Sequence, residues 1–209
     1  MAYSDFSLRK VSQDFKLTLT QGTFLCEYQP ISPSAYLAQF LEKSLPLAIA
    51  LGTEKARSEM IICPILIEVR EILQREISLF SGIDFTVDQS LGLNGVCDFV
   101  ISRSPEQILI SAPVAVIVEA KKDDLNAGLG QCIAEMVAAQ RFNQQQDYPI
   151  SSAISSIYGA VTTGSLWRFL KLEAQNVIID LTEYAVPPVD RILGILVSLV
   201  SGNLLGENL

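Results

Sequence analysis

The pattern of apolar and polar positions divides the chain into segments of strand period and segments of helical period. Three strands are predicted between turns rich in glycine, asparagine and proline, at residues 83–91, 95–102 and 112–121. Two more apolar runs flank Thr163-Gly164-Ser165 within residues 155–173, which is typical of a β-hairpin closed by a short glycine-containing loop. Residues 176–184 predict a further strand.

Apolar residues at helical spacing predict four helices, at residues 32–51, 53–77, 125–146 and 189–205. Either Ser32 or Ser34 is a suitable N-cap for the first of them. In the second, apolar side chains recur every three or four residues, as at Ile62 and Leu66. Pro64 lies inside that pattern, so it marks either a kink or the first turn of a helix that begins later.

The segment before the first helix shows the alternation of apolar and polar residues that is typical of strands. Residues 15–28 alternate around Gln21-Gly22, which predicts an N-terminal hairpin. From residue 53 onward the order is helix, three strands, helix, two or three strands, helix. That order indicates an α/β or α+β fold with a central mixed sheet covered by helices on both faces.

The chain is long enough for one well-buried core. It has 209 residues, of which 49% are hydrophobic, and no linker, repeat or low-complexity segment interrupts it. We expect a single domain over residues 1–209. Its parts are predicted as a core at about residues 53–182, an N-terminal extension at 1–52 and a C-terminal helix at 187–205.

The net charge restricts the functions that the chain can have. It is −8, with a pI near 4.6, which argues against a protein that coats nucleic acid through a broad basic face. A nuclease is still compatible with this charge, because acidic residues that bind a metal ion present a local cation to phosphate.

Histidine is absent, which excludes histidine-based nucleophilic catalysis and metal binding. The four cysteines, Cys26, Cys63, Cys97 and Cys132, are far apart in apolar surroundings, so we expect buried reduced thiols in a cytoplasmic protein. No signal peptide is visible, and the apolar run at residues 192–202 is too short to span a bilayer. We expect no membrane association.

The most informative stretch is the end of the third predicted strand, where Glu119 and Lys121 follow an apolar run. Residues i and i+2 of a strand point to the same face, so these two side chains project together, about 6–7 Å apart along the strand. If the preceding strand pairs with this one in antiparallel fashion, Asp98 can lie beside Glu119.

Two neighbouring carboxylates repel each other, and burial increases the repulsion. A divalent cation compensates for it: Mg²⁺ prefers oxygen ligands, commonly one or two carboxylates together with water and substrate phosphate. Lys121 could then orient the metal-bound water, help it to lose a proton, or stabilise charge on the phosphate. Asp98, Glu119 and Lys121 would form a small site for phosphodiester hydrolysis without histidine.

The stretches "GVCD", ending at Asp98, and "VEAK", carrying Glu119 and Lys121, resemble the signature of the PD-(D/E)xK nuclease superfamily. Cys97 stands where that family has a proline before the aspartate. The stretches "TEKARSEMIICPIL" and "YGAVTTGSLWRFLKL" look like parts of the nuclease domains of type I restriction enzymes. The resemblance covers about residues 53–182.

The resemblance implies a restriction endonuclease-like αβββαβ core and Mg²⁺- or Mn²⁺-dependent cleavage of nucleic acid, with DNA as the first expectation. Asp98 and Glu119 would be the metal ligands, and Lys121 would activate or position the water. Members of the family often add an acid on the first core helix; Glu59, on the face of the apolar residues, is preferred and Glu54 is the alternative.

The resemblance also implies a role for Gln131 at the rim of the site, touching the DNA backbone or orienting the other residues. Relatives often carry a tyrosine four residues later, where this chain has Glu135. Gly128 and Gly130, near the start of the same helix, would let a backbone or a substrate come close.

Two other functions remain open at this stage. The same fold could be a non-catalytic module that binds a protein or nucleic-acid partner, as a homodimer or with a partner subunit. Alternatively, the chain could be a structural oligomer in which Glu119 and Lys121 form only a surface ion pair.

Overall fold

The computed structural model describes residues 1–25, 28–146 and 154–202; Cys26 lies outside these residues. The helices are α1 (Leu8–Asp14), α2 (Ala35–Leu51), α3 (Glu54–Arg57), α4 (Cys63–Ile72), α5 (Leu125–Gln145) and α6 (Asp190–Ser201). The strands are β1 (Thr18–Gln21), β2 (Ser78–Asp84), β3 (Val96–Ser102), β4 (Val114–Ala120), β5 (Ser156–Thr162), β6 (Leu166–Glu173), β7 (Asn176–Ile179) and β8 (Tyr184–Ala185).

The described strands form one mixed eight-stranded sheet. Seven of them follow the order β1-β7-β6-β5-β4-β3-β2, and β8 pairs with β6. The pairs β4–β5 and β1–β7 are parallel, and the other neighbours are antiparallel. The order α4, β2, β3, β4, α5, β5 is the predicted αβββαβ succession.

Each face of the sheet carries its own apolar core. One core joins the sheet to α2, α4 and α6, and the other joins it to α1 and α5. Strand β4 is buried along its whole length, as expected for a central strand covered on both faces. The predicted mixed sheet flanked by helices is confirmed.

The first core helix is interrupted where Pro64 enters it. Helix α3 begins at its N-cap Thr53, a π-helical turn follows over Ser58–Ile62, and Pro64 lies in the first turn of α4. Proline cannot donate a hydrogen bond to the carbonyl four residues earlier, which belongs to Met60. The hydroxyl of Ser44 donates to that carbonyl instead, at 2.8 Å.

Two predicted boundaries in this region are wrong. Helix α4 ends at Ile72 rather than at residue 77, because Gln74 and Arg75 adopt left-handed backbone conformations with φ of 54° and 64°. Glycine normally signals such a helix end, and none is present here. Strand β2 consequently runs over Ser78–Asp84, not over 83–91, and residues 85–91 belong to the connection to β3.

The predicted N-terminal hairpin is also wrong within the described residues. Strand β1 pairs in parallel with β7 and has no return strand at residues 22–25. Gly22 does not have the positive φ that a two-residue hairpin turn requires. Leu19 packs in the α5-side core while Leu25 packs in the opposite one, so the chain crosses the sheet edge instead of folding back.

The C-terminal helix packs on the protein itself. Its apolar residues, including Ile192, Ile195 and Leu199, are fully buried in the core with α4. The helix ends at Ser201, and its predicted continuation to residue 205 lies outside the described residues. No helix in the described ranges is long and apolar enough to cross a membrane.

Candidate active site

The pairing of β3 with β4 places Asp98 next to Glu119. The last paired residues at this end of the two strands are Phe99 and Val118. Beyond them, the Asp98 side chain takes the place of a backbone partner: its Oδ2 accepts a hydrogen bond from the N–H of Ala120 at 2.8 Å. The Asp98 carboxyl therefore lies close enough to Glu119 for each to shift the pKa of the other.

Glu119 and Lys121 project together, as the strand period predicts. The Nζ of Lys121 lies 2.5 Å from Oε1 of Glu119, and the side chains are 20% and 1% exposed, respectively. The backbone N–H of Lys121 donates to the carbonyl of Thr162 at 2.8 Å. This bond continues the alignment of β4 with β5 for one residue, and it keeps both side chains on the same face.

Two glycines let α5 approach its neighbours closely. A Cβ atom on Gly128 would lie 3.1 Å from Cγ of Lys121 and 2.6 Å from Cγ1 of Val161. A Cβ atom on Gly130 would collide with the backbone carbonyl of Phe6. The close approach of a backbone that the sequence predicts is confirmed at Gly130, and at Gly128 the neighbour is the lysine side chain itself.

Helix α5 contributes two polar side chains. Oε1 of Gln131 lies 3.3 Å from Nζ of Lys121, and Nε2 of Gln131 donates to Oε1 of Glu135 at 3.1 Å. Glu135 is fully buried. Sequence reasoning treated it only as a departure from the family pattern. The available signal was its position: it is the one charged residue in the otherwise apolar stretch 132–139.

Burial dominates the electrostatics of the three acids. It raises the pKa of Glu119 to about 8, with a further upward contribution from the charge of Asp98 and an opposing one from Lys121. Burial, followed by the charge of Glu119, holds the pKa of Glu135 well above its ordinary value. Burial also raises the pKa of Asp98, although the Ala120 N–H and Lys121 oppose it. The metal-free site therefore retains protons that isolated carboxyls would release at neutral pH.

Burial acts on the pKa of Lys121 in the opposite direction, but the neighbouring acids outweigh it. Burial lowers its pKa, but attraction to Glu119, Glu54 and Asp98 outweighs burial, and the pKa is raised overall. Lys121 is consequently a fixed cation at neutral pH in the metal-free protein. Of the roles considered for it, orienting a water and stabilising charge fit this state better than accepting a proton.

The site contains carboxylate oxygens that lack a partner. Oε2 of Glu119 and Oε2 of Glu135 are buried and have no hydrogen-bond partner in the described structure. Leaving such a group unpaired typically costs about 1–3 kcal/mol. A divalent cation between Asp98 and Glu119 would satisfy the Glu119 oxygen and remove the repulsion, so these residues fit Mg²⁺ or Mn²⁺.

The protein would supply only part of the coordination shell. Among the described residues, no group of three or more acidic or cysteine side chains is arranged to hold a metal ion. Mg²⁺ commonly binds proteins through one or two carboxylates and keeps several waters or substrate oxygens. Asp98 and Glu119 correspond to that arrangement.

A groove connects the site with solvent. Its volume is about 290 Å³, and it is lined by residues of α3, the π-helical turn and β2 together with Asp98 and Ala120. Asp98 is half-buried. Of the acid pair, Asp98 lines the groove and Glu119 lies deeper, so a ligand entering the groove meets Asp98 first.

The structure distinguishes between the two candidate helix acids. Glu59 was expected to face the sheet, but its side chain is 59% exposed and forms an ion pair with Lys55 at 3.2 Å. Its charge acts on the Cys63 thiol, whose pKa is raised first by burial and then by Glu59. Glu54 is the helix acid whose charge acts on Glu119 and Lys121.

The π-helical turn explains why Glu59 does not lie on the helix face that packs against the sheet. The expectation for Glu59 assumed uninterrupted α-helical spacing from Ile62, Leu66 and Val69. A π turn adds a residue, which rotates the preceding positions by about 100° relative to an uninterrupted α-helix. Glu59 lies inside that turn.

The structure thus brings Asp98, Glu119, Lys121 and Gln131 together, with Glu54 nearby, while Glu59 lines the groove and is paired with Lys55. No protein-family model, no curated protein and no solved structure matches this chain. Its function has to be inferred from the geometry of the site.

Proposed function

We propose that the chain is a Mg²⁺- or Mn²⁺-dependent nuclease of the PD-(D/E)xK type, with DNA as the first substrate to test. One observation carries the proposal. Asp98 lines an open groove, its carboxyl interacts electrostatically with Glu119 and Lys121, and a buried Glu119 oxygen has no hydrogen-bond partner among the described residues.

Asp98 and Glu119 would hold the metal ion. When bound, the ion polarises a phosphate oxygen and lowers the pKa of its bound water. The chain keeps both ligands in place through backbone bonds: Asp98 accepts from the Ala120 N–H at 2.8 Å, and the β4–β5 pairing holds Glu119 opposite Val161. Both ligands are therefore positioned before substrate arrives.

Besides the metal ion, Lys121 supplies positive charge to the site from the protein itself. Its ammonium is held by Glu119 and Gln131, and it is partly exposed. An ammonium in this position orients an attacking water by hydrogen bonding and offsets the negative charge that develops on the phosphate. Glu54 strengthens the cationic state of Lys121 from the groove side.

The acidity of the chain makes substrate binding depend on the metal. The net charge is −8, and the groove walls carry Glu54 and Glu59 against one lysine, Lys55. Phosphate would be repelled by these carboxylates in the absence of a cation. A bound divalent ion reverses the local sign of charge, so we expect nucleic acid to bind only when the ion is present.

The same acidic walls favour a second candidate, a catalytically inactive module of this fold that binds a protein partner. Such a module could act as a homodimer or beside a partner subunit that recognises nucleic acid. A cytoplasmic location suits both candidates, because Cys63, Cys97 and Cys132 are free thiols.

Cleavage assays with substitutions at matched positions test the proposal. Purified protein would be incubated with supercoiled DNA, linear duplex, single-stranded DNA and RNA, in Mg²⁺, Mn²⁺, Ca²⁺ or EDTA. We expect cleavage in Mg²⁺ or Mn²⁺ that is lost in Asp98→Asn, Glu119→Gln and Lys121→Met. The controls Asp123→Asn and Lys122→Met alter exposed neighbours of the same type and should retain wild-type cleavage.

Two results would reject the nuclease. One is the absence of cleavage of all four substrates in both metals. The other is cleavage that survives all three site substitutions. Capture of a defined protein partner that is unaffected by Asp98→Asn and Glu119→Gln, together with no cleavage, would support the inactive module instead.

A further inference from the structure

A hydrogen-bonded series of side chains runs from the interior of α5 to the lysine of the site. It consists of Glu135, Gln131, Lys121 and Glu119. We infer that Glu135 is a positioning residue for Lys121 that acts through the side chain of Gln131. The inference rests on the proposed nuclease function for its effect on catalysis, and on geometry alone for its effect on the lysine.

The chemistry of the two ends determines the orientation of the Gln131 amide. A lysine ammonium has only donors, so it requires the carbonyl oxygen of Gln131 on its side. The amide NH₂ must then point away from Lys121, where it meets Oε1 of Glu135 at 3.1 Å. A residue at 135 without an acceptor would remove this partner from the NH₂ group of the half-buried Gln131, and the amide would lose the contact that holds it.

The ammonium is in turn held from two directions. Two of its three N–H groups point to Oε1 of Glu119 at 2.5 Å and to Oε1 of Gln131 at 3.3 Å. Tetrahedral geometry fixes the direction of the third N–H once these two are made. Lys121 keeps 20% of its side chain exposed, so this third N–H is the one available to a water or a phosphate oxygen.

The position of Glu135 argues against a purely packing role. It is fully buried in α5, between the apolar neighbours Ala134 and Met136. A carboxyl is expensive at such a place, and an apolar side chain of similar volume would often be neutral or stabilising. The polar partner that it does have is Gln131, and through it the Lys121 ammonium.

Exchange of the lysine ammonium protons tests this inference without any need for nuclease activity. Protein labelled with ¹⁵N-lysine would be observed by NMR, and the Lys121 ammonium signal assigned by its loss in Lys121→Met. We expect slow exchange with water in the wild type and in Glu135→Gln, which keeps an acceptor oxygen for Gln131. Exchange should be several-fold faster in Glu135→Met and in Gln131→Met, and unchanged in Gln144→Met, an exposed glutamine of the same helix.

A swapped pair provides a second variant if Glu135→Met does not fold. In Gln131→Glu with Glu135→Gln, the new glutamate accepts from Lys121 and from the new amide, so slow exchange should be retained. The single substitution Gln131→Glu removes the amide that links Lys121 to Glu135 and should disturb the lysine. Equal exchange rates in the wild type, the swapped pair and Gln131→Glu would overturn the inference, as would unchanged exchange in a folded Glu135→Met.

Cleavage kinetics give the catalytic half of the test. Substitutions next to the ligands of a metal site typically cost about 10- to 100-fold. We expect that loss in kcat for Glu135→Met, little change in KM, recovery in Glu135→Gln, and no further loss when Gln131→Met is added. Wild-type activity in Glu135→Met would overturn the inference. If the wild-type protein cleaves nothing, the proposed function fails, while the exchange measurement still decides whether Glu135 positions Lys121.

Discussion

The two ends of the β3–β4 strand pair both bury polar side chains, but they treat them differently. At one end, Asn143 of α5 accepts from the Val114 N–H at 2.8 Å and donates to the Val114 carbonyl at 2.9 Å. The Ser102 hydroxyl there donates to the carbonyl of Pro113 at 3.0 Å. At the other end, Glu119 and Glu135 each bury a carboxylate oxygen without a partner.

Asn143 and Ser102, which are neutral and hydrogen-bonded, lie at one end, while the other end collects acidic groups that the protein does not fully compensate. Completely paired buried groups contribute to stability and to a unique core. Incompletely paired buried charges are destabilising, and a bound ion can offset their free-energy cost. The contrast separates the structural end of the strand pair from the candidate active site.

The largest effect is expected from Glu119→Gln, measured as cleavage. Since even substitutions beside metal ligands typically cost 10- to 100-fold, we expect the loss of this ligand to reduce kcat/KM by at least about 100-fold. The free energy of unfolding of the metal-free protein should stay the same or increase, because a buried carboxylate is removed. A large loss of stability would show that Glu119 has a structural role, like the polar residues at the other end of the strand pair.

The opposite result is expected from Asn143→Leu, measured by urea unfolding. The substitution leaves the N–H and the carbonyl of Val114 unpaired in the interior, which should cost about 2–4 kcal/mol. Mn²⁺ affinity and cleavage per folded molecule should be unchanged. The neighbouring exposed Gln144→Leu is the control, and equal destabilisation by both would show that the Val114 bonds are not the cause.

The pH dependence of stability should report the uncompensated charge directly. The pKa of Glu119 is about 8 in the folded protein and has an ordinary value of 4.5, so the folded state retains a proton that the unfolded state releases. Its stabilising contribution is complete below about pH 4.5 and is lost as the pH rises to about 8. Asp98 and Glu135, with raised pKa values, act in the same direction.

In EDTA, we therefore expect the free energy of unfolding to fall by about 3–4 kcal/mol between pH 5 and pH 8 from Glu119 alone. Glu119→Gln should flatten this slope, and excess Mg²⁺ should restore the stability at pH 8. A stability that increases with pH over this range in the metal-free wild type would contradict the assignment.

The smallest effect concerns the helix acids, measured as Mn²⁺ affinity by calorimetry. Both acids are exposed, but the charge of Glu54 acts on Glu119 and Lys121, whereas Glu59 is paired with Lys55. Glu54→Gln should weaken binding by about 2- to 5-fold, corresponding to about 0.5–1 kcal/mol. Glu59→Gln should be indistinguishable from the wild type, because exposed ion pairs contribute little. A larger loss of affinity in Glu59→Gln than in Glu54→Gln would show that Glu59 is the acid that belongs to the site.

The convergence of Asp98, Glu119 and Lys121 could be predicted because it follows from local rules. Strands β3 and β4 are neighbours in the chain, and the period of two determines which side chains share a face. The position of Asp124 as the N-cap of α5 is equally local: its side chain accepts from the N–H of Asn126 at 2.8 Å. Short-range geometry of this kind can be read from the residues themselves.

The errors occurred where distant contacts or backbone irregularities intervened. Strand β1 pairs with β7, whose residues lie more than 150 positions away, and no local pattern indicates that partner. The end of α4 at left-handed Gln74 and Arg75 lacks the glycine that would have signalled it. The orientation of Glu59 depended on a π-helical turn, which rotates one part of a helix against the other.

The residue pattern alone determined the mixed sheet flanked by helices and the convergence of Asp98, Glu119 and Lys121. The side-chain period and the order of neighbouring strands are properties of the sequence. The fold had to decide which helix acid approaches these three residues, how deeply Glu119 is buried and that Glu135 joins them through Gln131. These features depend on how α3 and α5 pack on the sheet. Packing of this kind brings together side chains that lie far apart in the chain, and it sets the desolvation that shifts their pKa values.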